Sequence, residues 1–247
     1  MSHKSFLQYF IAVLSIGSLV YGMEKAKDLK ILAHQLISAA WDNKIEQAKQ
    51  LVEEPDIDIN FIDCYRHNAL NVASDKGHFE IVKLLVKKGA NINLPGISWT
   101  PLMHACNENH LTIAKFLIEK GASVNLSDDL KCTPLILTSH PETTRLLLSN
   151  GARINFTTPN KWTALHSAAR NNKLDKAKVL LANGIDIDLR DREGKTARDI
   201  AQDYKYTEIV AAIDLEITKK KIVLQRLAAF VDTYRPSIQL LLACKRT

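Results

Sequence analysis

The sequence is poor in the residues that punctuate all-β proteins. Its 247 residues include nine glycines and seven prolines, and aromatics make up 6%. A protein of many short strands needs more turn residues and more aromatics, so a helical chain is the better starting point. Cysteine is also scarce. The four, at positions 64, 106, 132 and 244, form no C-x-x-C pair, which excludes a zinc ribbon. No apolar run reaches the roughly 20 residues of a membrane-spanning helix. A strong excess of one charge is missing from most of the chain. The net charge is +6; Lys4 supplies +1 within 1–22, and seven Lys/Arg against three Asp/Glu supply +4 within 214–247, leaving +1 for 23–213. Nucleic-acid binding, which needs clustered Lys and Arg, is therefore not expected. Catalytic signatures are absent as well: no G-x-S-x-G, H-E-x-x-H, Walker loop or G-x-G-x-x-G occurs. The eight histidines are scattered. The chain is read as no enzyme, with no cofactor and no metal.

What is present begins with an address. Lys4 precedes an uncharged, almost wholly apolar run from Phe6 to Val20, followed by Val20-Tyr21-Gly22. This is the layout of a secretory signal peptide with cleavage near Gly22. An uncleaved anchor and a buried helix are the rival readings. Residues 1–22 are accordingly set apart as a signal peptide, and the mature protein is expected to be exported, either secreted or periplasmic.

The rest of the chain repeats. Asn68-Ala69-Leu70, Thr100-Pro101-Leu102, Thr133-Pro134-Leu135, Thr163-Ala164-Leu165 and Thr196-Ala197-Arg198 open five similar blocks at intervals of 32, 33, 30 and 33 residues. Gly89-Ala90-Asn91-Ile92-Asn93, Gly121-Ala122-Ser123-Val124-Asn125 and Gly184-Ile185-Asp186-Ile187-Asp188 each follow a block start by 21 residues. Gly151 to Asn155 comes three residues early. Apolar runs such as Leu84-Leu85-Val86 and Phe116-Leu117-Ile118 precede these glycines. Thr or Asn caps a helix, and Pro at the next position costs no backbone bond. In the second block Leu70, Val72 and Ala73 begin one short helix, Gly77-His78 breaks it, and Ile81, Val82, Leu84 and Leu85 form another. Neither helix can bury its apolar face alone, so stacked copies must supply the core.

These residues resemble the ankyrin repeat, with its T-P-L-H-x-A helix start, its leucine run and its G-A-D-I-N close at a period of 33. The resemblance covers residues 34–213. It implies an all-α solenoid of about six helix-turn-helix repeats joined by short β-hairpin loops. The domain is placed at 29–213, with repeats at 29–62, 63–94, 95–127, 128–157, 158–190 and 191–213. A basic helical extension follows at 214–247. The first repeat is degenerate, with Pro55 in the glycine place. The fourth is three residues short, so its first helix should lose about a turn and Pro141 should open its second. Lys176 and Gln47 stand where the family usually has Ile; their stems are expected to cover apolar surface while their ends reach water. Arg198 replaces the usual Leu, which only a terminal repeat tolerates. His166 fills the histidine of T-P-L-H and is expected to bond backbone of the neighbouring repeat. Cys64 and Cys132 fall near hairpin tips two repeats apart, about 20 Å at helix-packing distances, so no disulfide is expected within the array.

Function follows from the same resemblance. It implies a concave face of hairpin tips and first helices that holds a protein partner. The residues carried onto that face are Tyr65, His67, Ile97, Trp99, His104, Leu130, Lys131, Lys161, Trp162 and Arg170. Trp99 and Trp162 are the sharpest feature, read either as binding anchors or as packing against the next hairpin. The extension carries an apolar stripe (Ile217, Val223, Leu224, Leu227, Val231) beside Lys219, Lys220, Lys221 and Arg226, interrupted by Pro236. It is read as a helical pair covering the end of the array, or as a basic amphipathic element for an anionic surface. Membrane contact is expected only through it or through an uncleaved N-terminus. The expectation is a monomeric, exported interaction module, host-directed by analogy with exported bacterial ankyrin proteins, with an envelope scaffold or an enzyme inhibitor as the alternative.

Overall fold

The computed structural model describes residues 25–244, so the proposed signal segment 1–22 lies outside the described residues. The chain divides into two compact units, residues 1–153 and 154–247. Among the described residues there are helices and turns but no strands.

The first unit contains four helix pairs. Helix α1 runs over 25–41 and α2 is Ile45–Leu51; the pairs α3 Ala69–Lys76 with α4 Phe79–Lys87, α5 Pro101–Asn107 with α6 Leu111–Glu119, and α7 Pro134–Leu137 with α8 Pro141–Ser149 follow. The block-start residues act as predicted. Asn68 Oδ1 accepts from Asn71 N–H and Thr100 Oγ1 from Met103 N–H, while Pro101 and Pro134 open their helices. Short helices then bury one face each. Leu70, Val72 and Ala73 of α3 meet a core that includes Ile81, Val82 and Leu85 of α4 and Leu102, Met103 and Cys106 of α5. Each fully buried Leu or Ile is worth about 1.5–3 kcal/mol, so the pairs are stable only as a stack.

The turns follow one backbone rule. A left-handed residue joins the helices of each complete pair, at Asn43, Gly77 and Asn109, and another follows each second helix, at Gly89, Gly121 and Gly151. In the first repeat that second position belongs to Asp56 at φ 64° and not to Pro55. A proline ring locks φ near −65° and cannot take it. Repeats are also clamped to each other by the asparagines that close each block. Asn60 Oδ1 accepts from Asn91 N–H at 2.7 Å, Asn93 Oδ1 from Ser123 N–H at 2.9 Å and Asn125 Oδ1 from Arg153 N–H at 2.9 Å. His78 and His110 clamp the inner side, each ring N–H donating to a carbonyl one repeat back, Ala40 O at 2.8 Å and Asp75 O at 2.9 Å. Replacing Asn93 by Ala leaves the Ser123 N–H without its acceptor and should cost about 1–2 kcal/mol in urea unfolding. A loss no larger than that of an exposed control would show that the clamp contributes nothing.

The expected deletion in the fourth repeat is visible: α7 has four residues. Polar contacts fill the place of the missing turn. Buried Thr143 donates to Asn109 Oδ1 at 3.2 Å and buried Thr144 to His140 O at 2.7 Å.

The second unit contains α9 Ala164–Arg170, α10 Leu174–Ala182, α11 Ala197–Asp203 and α12 Thr207–Cys244. Thr163 and Thr196 cap their helices, and Asn155 Oδ1 accepts from Asp186 N–H at 2.8 Å, repeating the clamp. Two expectations are corrected here. Lys176 does not reach water: it is 1% exposed, whereas Gln47 in the first unit is exposed as foreseen. The extension is not a helical pair, because α12 is one helix of 38 residues that passes through Pro236. The second helix of the last repeat continues across 214 into the extension without a break. Ile209 and Ile213 are buried and Ile217 is half-buried, but Val223, Leu224, Leu227 and Val231 are exposed, so among the described side chains the stripe is covered only at its start. Arg198 is more than a tolerated exception. Its guanidinium donates from Nε and Nη2 to both oxygens of Asp214, at 2.6 and 2.9 Å, joining α11 to α12.

Candidate functional site

Each unit carries its own set of turns, before α3, α5 and α7 in the first and before α9 and α11 in the second. Each turn is closed by backbone bonds and lacks a strand ladder, so the hairpins foreseen from the sequence are reduced to their turns. Before α3, Asp63 N–H donates to His67 O at 3.0 Å and Arg66, at φ 61°, donates to Asp63 O at 2.9 Å. Asp63 Oδ1 accepts from Tyr65 and His67 N–H at 2.9 and 2.7 Å. Asp191 Oδ1 does the same for its own turn, Asp128 Oδ1 accepts from Cys132 N–H at 2.7 Å, and Lys131, Lys161 and Gly194 take the left-handed place. The turn before α5 is one residue tighter, Gly96 N–H donating to Trp99 O at 3.0 Å. Gly96 is required there: a Cβ would lie 2.7 Å from Asn71 Nδ2 and 2.9 Å from Arg66 O.

These turns lift three large apolar side chains into solvent. Tyr65 is 73% exposed, Ile97 59% and Leu130 74%. Ile97 borders a recess of 310 Å³, whose lining also includes Trp41, His67, Asn71, Asp75, Trp99 and His104. Its walls are aromatic. The Trp41 and His67 rings are 5.9 Å apart and the Trp99 and His104 rings 5.4 Å, with the Lys76 ammonium 4.4 Å over Trp41. Its floor is polar. Asp75 meets His104 Nδ1 at 3.0 Å and Lys76 Nζ at 3.1 Å. Burial opposes the Asp75 charge, but Lys76 and His104 outweigh it and hold the carboxyl below its usual range. Burial pushes His104 down, only partly offset by Asp75. The recess offers an apolar slot with one screened carboxylate.

The structure thus gathers Tyr65, His67, Ile97, Trp99 and His104 in one place, with Leu130 and Lys131 on the next turn of the same unit. Trp99 is partly committed to packing: its indole N–H donates to Asp128 Oδ2 at 3.0 Å. Lys161, Trp162 and Arg170 belong to the second unit. There a polar recess of 430 Å³ is lined by Trp162, Arg170, Arg192, Lys195, Asp203 and Tyr204, among others. Trp162 is half-buried, with its ring 6.3 Å from that of His166. His166 Nε2 lies 3.3 Å from Lys195 O, the bond to the neighbouring repeat expected of that histidine; in the first unit Asn71 Nδ2 takes the equivalent role on Trp99 O at 3.2 Å. Trp41 and Tyr204 join the two recesses without having been expected from the sequence. Trp41 ends α1 in the degenerate first block, but its offset from Asn43 matches that of Asp75 from Gly77, a signal that could have found it.

Cys64 is exposed, Cys106 buried and Cys132 half-buried, all as free thiols. Burial raises Cys106 strongly, which suits a packing role. Among the described residues, no three His, Cys, Asp or Glu side chains are grouped to hold a metal, and no helix is long and apolar enough to cross a membrane.

Comparison with known proteins agrees with this geometry. The family model described as ankyrin repeats (3 copies) matches residues 36–128 and 135–220. The E3 ubiquitin-protein ligase XBAT32 of Arabidopsis thaliana is 39% identical over 137 residues, covering 53% of this chain and 26% of the relative. Putative ankyrin repeat protein FPV031 of fowlpox virus is 34% identical over 161 residues, covering 60% of this chain and 47% of the relative. The chain thus spans about a quarter to a half of the length of these curated relatives. Among solved structures, a chain from the complex of the Bd0816 predatory endopeptidase of Bdellovibrio bacteriovorus with immunity protein Bd3460 superposes with a TM-score of 0.67 at 27% identity, covering 72% of this chain and 96% of that one. With the matching family model covering well over half of its residues, the chain belongs to the ankyrin-repeat family.

Proposed function

We propose that the protein is an exported, non-enzymatic module that holds a protein partner on the face formed by its turn tips and first helices. The observation that carries this reading is the exposure of Tyr65, Ile97 and Leu130 on successive turns, with Ile97 lining a recess walled by Trp41, His67, Trp99 and His104. Large apolar side chains held in solvent by rigid turns bury much area on binding at little entropic cost. Nothing in their own unit requires them to be apolar. Export rests on the run from Phe6 to Val20, and a host-directed role rests on that export. A second reading, occlusion of an enzyme, is favoured by the solved neighbour, which comes from a complex of an endopeptidase with an immunity protein.

The turn tips give a cleaner test than the tryptophans, because Trp99 also bonds Asp128. The double variant Ile97→Asp/Leu130→Asp should leave stability within about 0.5 kcal/mol of wild type, since both side chains are exposed. It should weaken crosslinking capture of the partner by more than tenfold. Undiminished capture by the folded variant would refute the assignment of this face. Intact-mass analysis of exported protein should show a chain beginning at Met23; retention of residues 1–22 would refute cleavage.

A further inference from the structure

We infer that the second unit carries a carboxylate-binding recess, anchored by Arg170 and fitted to an acidic segment of a protein partner. This rests on the binding-module reading and names a chemistry for one part of that face. Arg170 ends α9, and Tyr204 follows α11. The Arg170 guanidinium lies 4.7 Å from the centre of the Tyr204 ring, and that ring stacks on Tyr206 at 5.7 Å and 15°. An aromatic face orients the guanidinium without using its in-plane N–H donors. Those donors form a planar fork that matches a carboxylate in a bidentate way.

The charges around the recess are unequally spent. Among the described residues, no carboxylate lies within ion-pair distance of Lys161, Arg170 or Arg192, and all three are exposed. The acids, by contrast, are occupied. Asp191 Oδ1 accepts from Glu193 and Lys195 N–H, both at 2.9 Å. Asp203 Oδ2 takes the Lys195 ammonium at 2.8 Å, and Glu193 lies 3.7 Å from the same ammonium. Two arginines elsewhere are paired internally, Arg145 with Glu142 and Arg198 with Asp214. The recess therefore presents two unspent cations, Arg170 and Arg192, beside the half-buried Trp162 ring, within a volume that admits an acidic side chain and an aromatic neighbour. A Glu- or Asp-rich stretch with an adjacent aromatic residue completes both the charge and the apolar wall.

The test uses the whole mature chain and a fluorescent, end-capped peptide of alternating Glu and Tyr, read by anisotropy against the same peptide with Gln for Glu. The acidic peptide should bind about tenfold tighter than the Gln peptide, with the preference falling as salt rises. Arg170→Ala should abolish the preference, and Arg170→Lys should lose most of it, because an ammonium cannot form the fork. Both variants alter an exposed side chain, so unchanged circular dichroism will show that they fold. Equal binding of the two peptides, wild-type binding by Arg170→Ala, or equal binding of a single-stranded oligonucleotide or of free sulfate each overturns the inference. Its failure is separable from that of the module reading. Partner capture that depends on Ile97 and Leu130 without any preference for the acidic peptide removes the carboxylate site alone. Preference for the acidic peptide with partner capture indifferent to those residues removes the turn-tip face alone.

Discussion

Replacing Lys176 by Met is expected to flatten the pH dependence of stability between about pH 7 and 10.5, because it removes a buried ammonium. Lys176 is 1% exposed, and burial drives its pKa from 10.5 to about 7. The folded-state value lies below the unfolded one, so between pH 7 and 10.5 the unfolded chain binds more protons at this site. Stability must then rise with pH across that window and fall as the pH drops toward 7, below which the penalty is constant. At about 1.4 kcal/mol per pH unit the full penalty approaches 5 kcal/mol, an upper bound because the site can relax. Methionine keeps the length and flexibility of the stem and removes the charge. Urea unfolding at pH 6, 7.5 and 9 decides the matter. Wild-type stability should climb between the two higher values by about 2 kcal/mol relative to the variant. Parallel profiles would show that the ammonium is accommodated in place.

The second large effect is expected at Gly77. Its φ is 78°, and a Cβ there would lie 2.6 Å from Cε1 of His110. That ring cannot retreat freely, since its Nε2 is held to Asp75 O at 2.9 Å. Gly77→Ala should therefore cost about 3 kcal/mol, from left-handed strain of about 1–2 kcal/mol plus overpacking of similar size. Gly89 is the internal control. It has φ 88°, but a Cβ there would meet nothing within 4 Å, so Gly89→Ala should cost only the strain, about 1–2 kcal/mol. Adding His110→Ala to Gly77→Ala should relieve the steric part and show up as coupling in a double-mutant cycle. Equal losses at the two glycines, with no coupling to His110, would mean that backbone strain alone matters.

Lys176 and Gly77 mark the limit of what can be read from a chain. The left-handed place at Gly77 follows from local rules, because a helix pair joined so tightly needs one, and Asn43, Asn109, Asn172 and Lys205 fill it elsewhere. That a histidine ring from the next repeat lies on it is a contact across 33 residues. The position of Lys176 was likewise clear, but its depth was not. A lysine in an isoleucine place can snorkel or be engulfed, and only the neighbours choose. The face shows the same division. Tyr65, Ile97 and Leu130 could be assigned to turn tips from the resemblance to the repeat family. That Trp99 spends its indole N–H on Asp128, that Trp41 walls the recess, and that Arg170 rests on Tyr204 without a carboxylate depended on packing.

By itself the sequence determined the family, the helix starts at the capping residues, the shortened fourth repeat and the turn-tip positions. These depend on interactions within a few residues, repeated at a fixed period, and so they are written locally. The tertiary structure decided the burial of Lys176, the passage of α12 through Pro236 as a single helix, the left-handed Asp56, and the separation of spent from unspent charges around Arg170. Those outcomes depend on which side chains the stack brings within hydrogen-bonding or van der Waals distance, and distance in space is not a property that a repeat period records.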